Sequence, residues 1–88
     1  MVISRLSVDS WYNTTNMSDD KTSIQRTAKR LRSARLAKGL TQVVVAKKSG
    51  VSISYYAQVE RGEVNPTASK LLKIIYALDV ESKDILGK

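Results

Sequence analysis

The chain has 88 residues, with 15 lysines and arginines against 8 acidic residues, and a formal net charge of +7. One small domain of this length has barely enough core to fold alone, so partner subunits could contribute to its stability. Cysteine and histidine are both absent, which excludes disulfides, thiolate or imidazole metal sites, and Cys or His nucleophile–base pairs. We expect no cofactor, no metal and no enzyme activity, because the carboxylates are dispersed and no glycine-rich phosphate loop is present.

The hydropathy of the sequence excludes a membrane-spanning protein. No apolar run is long enough to cross a bilayer, and residues 1–20 lack the long apolar segment of a signal peptide. We therefore expect a soluble cytoplasmic protein with no membrane partner.

The basic residues are segregated along the chain. No acid occurs between Lys21 and Val59, and acids occur only in residues 1–20 and from Glu60 onward. The acid-free interval contains Lys21, Arg26, Lys29, Arg30, Arg32, Arg35, Lys38, Lys47 and Lys48. Such segregation indicates a surface that faces a polyanion, and the alternative is an ordinary lysine-rich coat.

No helix or strand is predicted for residues 1–20. Their apolar and aromatic residues, Trp11 and Tyr12 among them, are too irregularly spaced for a helix or a strand. Two interpretations stay open: a disordered N-terminal extension, or an arm that packs on the domain or holds a protein partner through residues 1–16. Met17 could also start the chain, which would make residues 1–16 an upstream extension. Residues 21–88 form the predicted domain.

A first helix is predicted from residue 22 or 23 to residue 38, where Gly39 ends it. Its inward side carries residues at helical spacing: Ile24, Ala28, Leu31, Ala34 and Arg35. A buried guanidinium requires a partner. Glu60, the first acid after the basic interval, is the natural candidate, so we predict an ion pair between Arg35 and Glu60; a solvated Arg35 is the alternative.

Between Thr41 and Gly62 the pattern predicts a helix, a tight turn and a second helix. Thr41 and Ser52 are good N-caps, and Gly50 supplies the positive φ that a tight turn between helices needs. Two short helices joined this closely form a helix-turn-helix unit, whose second helix can enter the DNA major groove.

The second helix of this unit, residues 53–61, has a short outward face. It consists of Ile53, Ser54, Ala57, Gln58 and Arg61, at the spacing i, i+1, i+4, i+5, i+8. Glutamine can pair with adenine, serine can bond several bases, and aliphatic methyls can contact thymine. The face therefore favours base reading over the competing interpretation, an ordinary solvated helix surface.

Two further helices are predicted after Gly62. Thr67 caps a fourth helix over residues 68–78, and a short fifth helix follows from Glu81 to Leu86. Their apolar residues are more numerous than one core stripe needs. We therefore predict a subunit interface formed by Ile75, Tyr76, Ile85 and Leu86. The alternative is that these residues enlarge the hydrophobic core of the single chain.

Four motifs resemble one known family. They are LRSARLAKGLTQ (31–42), VAKKSGVS (45–52), YAQVERGEVNPT (56–67) and LLKIIYALDV (71–80). Residues 31–86 resemble the phage-repressor and Cro type of helix-turn-helix domain, the xenobiotic-response-element family. The resemblance implies an all-α, five-helix, lambda-repressor-like fold with the helix-turn-helix at the second and third helices.

The resemblance also implies roles for particular residues. Those implied to read bases are Ile53, Ser54, Ala57 and Gln58. Those implied to position the DNA backbone are Thr41, Gln42, Ser52, Tyr55, Arg61, Asn65 and Thr67. Gln42 would also buttress the third helix, and Arg35 with Glu60 matches the family's structural ion pair. Tyr56 stands where an aliphatic residue is usual.

These patterns together predict a sequence-specific, double-stranded DNA-binding transcriptional regulator at the nucleoid. It would act as a homodimer on a near-palindromic operator, with the third helix in the major groove. The alternative is a protein-interaction module, such as an antitoxin or a bridging coactivator, with the same fold. The host system, the operator and the choice between activation and repression stay open. Only Ser54 and Gln58 are central polar readers, so specificity could depend partly on DNA shape.

Overall fold

The computed structural model describes residues 21–87; the N-terminal arm predicted at residues 1–20 lies outside them, as does Lys88. Every regular secondary-structure element among the described residues is a helix. These are α1 (Lys21–Ala37), α2 (Gln42–Ser49), α3 (Ile53–Glu60), α4 (Ala68–Leu78) and α5 (Ser82–Leu86). The predicted five-helix, all-α fold is confirmed.

The helix ends are set by caps and turns. The hydroxyls of Thr41, Ser52 and Thr67 accept hydrogen bonds from backbone N–H groups three residues later, at 3.2, 2.9 and 3.2 Å. Gly50 has a φ of +76°, which closes the α2–α3 turn as predicted.

Four predicted helix ends are displaced by one or two residues. Helix α1 begins at Lys21 and ends at Ala37, one residue before the predicted end. Arg61 follows α3 as its C-cap. Glu81 is the N-cap of α5 and forms a capping box with Asp84, so the helix starts one residue later than predicted.

One hydrophobic core joins all five helices. Its buried members are Leu31, Val45, Ala46, Tyr56, Val59, Ile74, Ile75, Ala77, Leu78 and Ile85. Helix α2 packs against α3 and α4, and α1 packs across α3, α4 and α5. The helix-turn-helix is therefore held between two longer helices, which leaves one side of α3 uncovered.

Two of the four predicted interface residues belong to this core. Ile75 is 4% exposed and Ile85 is 1% exposed, so neither side chain is available to a second subunit, and their assignment to a dimer interface is corrected. Both side chains pack in the core of the chain itself. Helix α5 is held against α1, where the Arg30 guanidinium donates to the carbonyl of Ile85 at 3.1 Å and also to that of Gly87. Tyr76 remains 85% exposed, and Leu86 is about half exposed.

In the described part of the chain, no helix is both long and apolar enough to span a membrane.

Candidate nucleic-acid interface

The uncovered side of α3 carries the predicted outward face. Ile53 is 46% exposed, Ser54 and Arg61 are exposed, and Ala57 and Gln58 are half-buried. Tyr56 and Val59 on the opposite side are buried in the core. An aliphatic, a hydroxyl and an amide side chain thus lie together on a short helix that has no acidic side chain on this face.

Residues assigned to backbone positioning cluster at the N-terminal ends of three helices. Thr41, Ser52 and Thr67 are the N-caps of α2, α3 and α4, Gln42 opens α2, Tyr55 is the third residue of α3, and Asn65 lies in the loop before α4. None of these three helices has an acid in its first turn. Helix N-termini carry partial positive charge and free N–H groups, so the cluster is suited to phosphates.

Arg35 and Glu60 form a bidentate ion pair. The Arg35 Nε lies 2.6 Å from Glu60 Oε2, and Arg35 Nη2 lies 3.0 Å from Glu60 Oε1. Both residues are buried, at 8% and 7% exposure. The third guanidinium nitrogen, Nη1, donates to the Leu40 carbonyl at 3.0 Å. One side chain of α1 therefore fixes both the end of α3 and the loop that leads into α2.

Gln42 joins the same network. Its Nε2 donates to Glu60 Oε1 at 3.1 Å, so the first residue of α2 is tied to the last residue of α3. Burial raises the pKa of Glu60, but the hydrogen bonds and charge of Arg35, with smaller contributions from Tyr56 and Gln42, outweigh burial and hold that pKa below its ordinary value. Glu60 is therefore charged at neutral pH, and that charge is neutralised locally by Arg35.

Tyr56 brings a buried hydroxyl close to this network. The side chain is fully buried, and its hydroxyl makes no hydrogen bond with the described residues. Burial raises the pKa of the Tyr56 phenol, and the neighbouring Glu60 carboxylate adds to the shift. The phenol stays neutral, and its ring fills the core position where the family usually has an aliphatic residue.

Two contacts beside α3 were missed from the sequence. The Arg61 guanidinium is held by the Glu63 carboxylate at 2.8 and 3.0 Å, in an exposed pair. The Lys70 ammonium lies 4.8 Å from the centroid of the Tyr55 ring. The short spacing from Arg61 to Glu63 was a usable signal for the first contact. Lys70 and Tyr55 lie on different helices, so no local pattern could have indicated the second.

Comparisons with known proteins agree with this geometry. The helix-turn-helix family pattern matches residues 31–85. An immunity repressor protein of Bacillus phage phi105 is 37% identical over 59 residues, which is 67% of this chain and 41% of the repressor. The cryptic phage CTXphi transcriptional repressor RstR of Vibrio cholerae is 36% identical over 59 residues, which is 67% of this chain and 53% of RstR. The chain thus spans about half the length of these relatives.

A solved structure resembles about three quarters of the chain. The restriction-modification controller protein C.AhdI from Aeromonas hydrophila superposes with a TM-score of 0.70 at 39% identity, over 73% of this chain and 97% of that one. The family pattern covers well over half of the chain and includes α2, α3 and the turn between them. The chain therefore belongs to the helix-turn-helix family, which confirms the resemblance that its motifs predicted.

Proposed function

We propose that this protein is a sequence-specific DNA-binding transcriptional regulator that acts as a homodimer on a near-palindromic operator. The observation that carries the proposal is the outward face of α3, which is exposed at Ile53 and Ser54 and held rigidly from behind by Arg35, Glu60 and Gln42. Placed in a major groove, Gln58 would pair with adenine, Ser54 would bond a base edge, and Ile53 and Ala57 would contact thymine methyls.

Phosphates would supply most of the affinity. The interval from residue 21 to residue 59 contains no acid, and Glu60, the first acid after it, is buried and neutralised by Arg35. From residue 21 to the end of α3 the chain therefore presents no exposed negative charge, and the first exposed acid after it, Glu63, is paired with Arg61. Contacts to phosphates fix register and orientation, whereas the α3 face would discriminate between sequences.

A second copy of the chain is the partner that this mode of binding requires. Two recognition helices reach successive major grooves when their half-sites lie about one helical turn apart. Tyr76 is 85% exposed on α4, with Leu72 on the same helix and Leu86 on α5 also exposed. Tyr76 and Leu72 lie one turn apart on α4, and this exposed apolar pair supports a dimer through α4, in which the two α3 helices remain free.

The names of the relatives support a role in phage repression or in the control of a restriction–modification system. Such a regulator would act in the cytoplasm, on the nucleoid. The alternative role, as an antitoxin or a bridging coactivator, would use residues 1–16, which lie outside the described residues, or the exposed surface at Tyr76.

The test begins with selection of bound sites from a pool of random DNA duplexes. We expect a two-fold symmetric consensus, bound by two chains, and affinity that falls steeply with salt because each neutralised phosphate contributes about 0.9 to the logarithmic slope. A slope near zero would refute the electrostatic part of the proposal, and failure to enrich any sequence would refute the specificity.

Gln58→Ala tests the role of the face itself. The variant should lose about 1–3 kcal/mol of discrimination at one base position and keep its affinity for random DNA. Ser33→Ala is the control, because Ser33 is an exposed polar residue of α1 that lies beside α5 and off the α3 face. An equal loss on the selected site and on random DNA would show that Gln58 does not read a base.

A further inference from the structure

We propose that Lys70 is a further phosphate-binding residue, held beside the recognition helix by the ring of Tyr55. The inference rests on the DNA-binding function proposed above and adds a contact that none of the sequence motifs indicates. It concerns the side of α3 that faces α4, whereas Arg61, the cation already assigned to the DNA backbone, belongs to the outward face.

The contact between Lys70 and Tyr55 connects two helices. The Lys70 Nζ lies 4.8 Å from the Tyr55 ring centroid, inside the range of about 6 Å within which a ring attracts a cation. Tyr55 is half-buried and packs against the core, whereas Lys70 is exposed. The packed ring thus gives the flexible lysine a preferred position without removing it from solvent.

The ring lies at the edge of the outward face of α3. With 3.6 residues per turn, Tyr55 projects between Gln58, which belongs to that face, and Val59, which points into the core. An edge of a helix seated in a groove lies next to the sugar–phosphate backbone that borders the groove. Lys70 is therefore placed to meet backbone phosphates, and it is too far round the helix to replace Gln58 at a base.

The charge of Lys70 is not used elsewhere in the described structure. Within residues 21–87 the ion pairs join Arg35 to Glu60, Lys38 to Asp79, Arg61 to Glu63 and Lys83 to Glu81, and none involves Lys70. An aromatic face attracts a cation without neutralising it. A lysine in the first turn of a helix is also unfavourable to the helix dipole, so helix stability does not explain Lys70, whereas an arriving phosphate does.

Arg61 differs from Lys70 in this respect. Its guanidinium already donates from Nε and Nη2 to the Glu63 carboxylate. The pair has no net charge, so its attraction for a phosphate is weaker than that of a lone cation. Because Lys70 carries no such counter-charge, we expect it to release more counterions from DNA than Arg61 does.

The experiment measures affinity against salt for Lys70→Met on the selected duplex. Methionine keeps most of the aliphatic stem and removes the charge. The logarithmic slope should become shallower by about 0.9 for each subunit bound, which corresponds to about fivefold weaker binding per subunit at 0.15 M salt. Random DNA should be weakened in the same proportion, with the base preference of the selected site unchanged.

Three further variants make the result specific. Lys83→Met removes an exposed lysine of α5 that is paired with Glu81, and it should leave the slope unchanged. Lys70→Arg keeps both the charge and the attraction to the ring, and it should retain the wild-type slope. Lys70→Met should have a smaller effect in a Tyr55→Leu background, because the ring that positions the ammonium is gone.

The outcomes separate this inference from the proposed function. A steep wild-type slope that Lys70→Met does not change overturns the Lys70 contact alone. A loss confined to the selected site also overturns it, because a phosphate contact cannot distinguish sequences. A wild-type slope near zero refutes the DNA-binding proposal as well.

Discussion

Removing one partner of the Arg35–Glu60 pair should be severely destabilising. Arg35→Met leaves the Glu60 carboxylate buried at 7% exposure without its counter-charge, although it still accepts a hydrogen bond from the Gln42 amide. Glu60→Leu leaves the Nε and Nη2 of Arg35 without their acceptors. A buried charge left without its partner typically costs about 3–5 kcal/mol. Since a domain of this size is stable by only about 3–10 kcal/mol, either variant should lose much of its stability.

The double variant separates the interaction energy of the ion pair from the cost of each single substitution. Arg35→Met combined with Glu60→Leu leaves no uncompensated charge, so it should lose less than the sum of the single variants, with a coupling energy of about 2–3 kcal/mol. Urea unfolding followed by far-UV circular dichroism at pH 7 gives the free energy of unfolding of the wild type, the two single variants and the double variant. Single losses below about 1 kcal/mol with no coupling would refute the reasoning, because that is how exposed pairs behave.

The same pair predicts how stability depends on pH. The pKa of folded Glu60 lies below its ordinary value, which is about 4.3 in an unfolded chain. Folding therefore favours the charged form. The stabilisation is complete above the unfolded pKa and is lost as the pH falls through the folded pKa. With no histidine in the chain, stability should be nearly flat between pH 5 and 8. Glu60→Leu should lose less on acidification than the wild type.

Two other variants test the turn and the apolar surface. Gly50 and Gly62 have left-handed φ values of +76° and +74°, so alanine should cost about 1–2 kcal/mol at either position in urea unfolding. An added Cβ meets nothing near Gly50 but would meet the Gln25 amide at Gly62. A much larger loss at Gly62 would show that this exposed side chain cannot move aside. Tyr76→Ser should weaken the proposed dimer at least about tenfold in sedimentation equilibrium, and an unchanged dimer would place the interface elsewhere.

Local chemistry explains which parts of the fold could be predicted. Thr41, Ser52 and Thr67 are strong N-caps, and Gly50 is a turn residue whose φ few other residues adopt. Each acts within a few residues of itself, so helix starts and the α2–α3 turn follow from the sequence with little dependence on tertiary structure. Arg35 and Glu60 are far apart in the chain, but the scarcity of acids left few candidates for a partner.

The errors have a common physical origin in long-range packing. Helical spacing marks Ile75 and Ile85 as apolar, but it cannot tell whether the residues cover the chain's own core or a partner's. That choice is made by the fold-back of α5, which Arg30 holds through two carbonyls. The Lys70–Tyr55 contact was missed for the same reason, because it depends on how α4 approaches α3.

The bracing of α3 has a consequence for how binding preference can change. Its fixed position depends on Tyr56, Val59 and Glu60, whereas the side chains of Ser54 and Gln58 make no hydrogen bond with the described residues. Substitutions of Ser54 or Gln58 therefore remove no hydrogen bond that holds the helix. A lineage, or an engineer, could exchange these side chains one at a time and move to a new target without passing through an unstable protein.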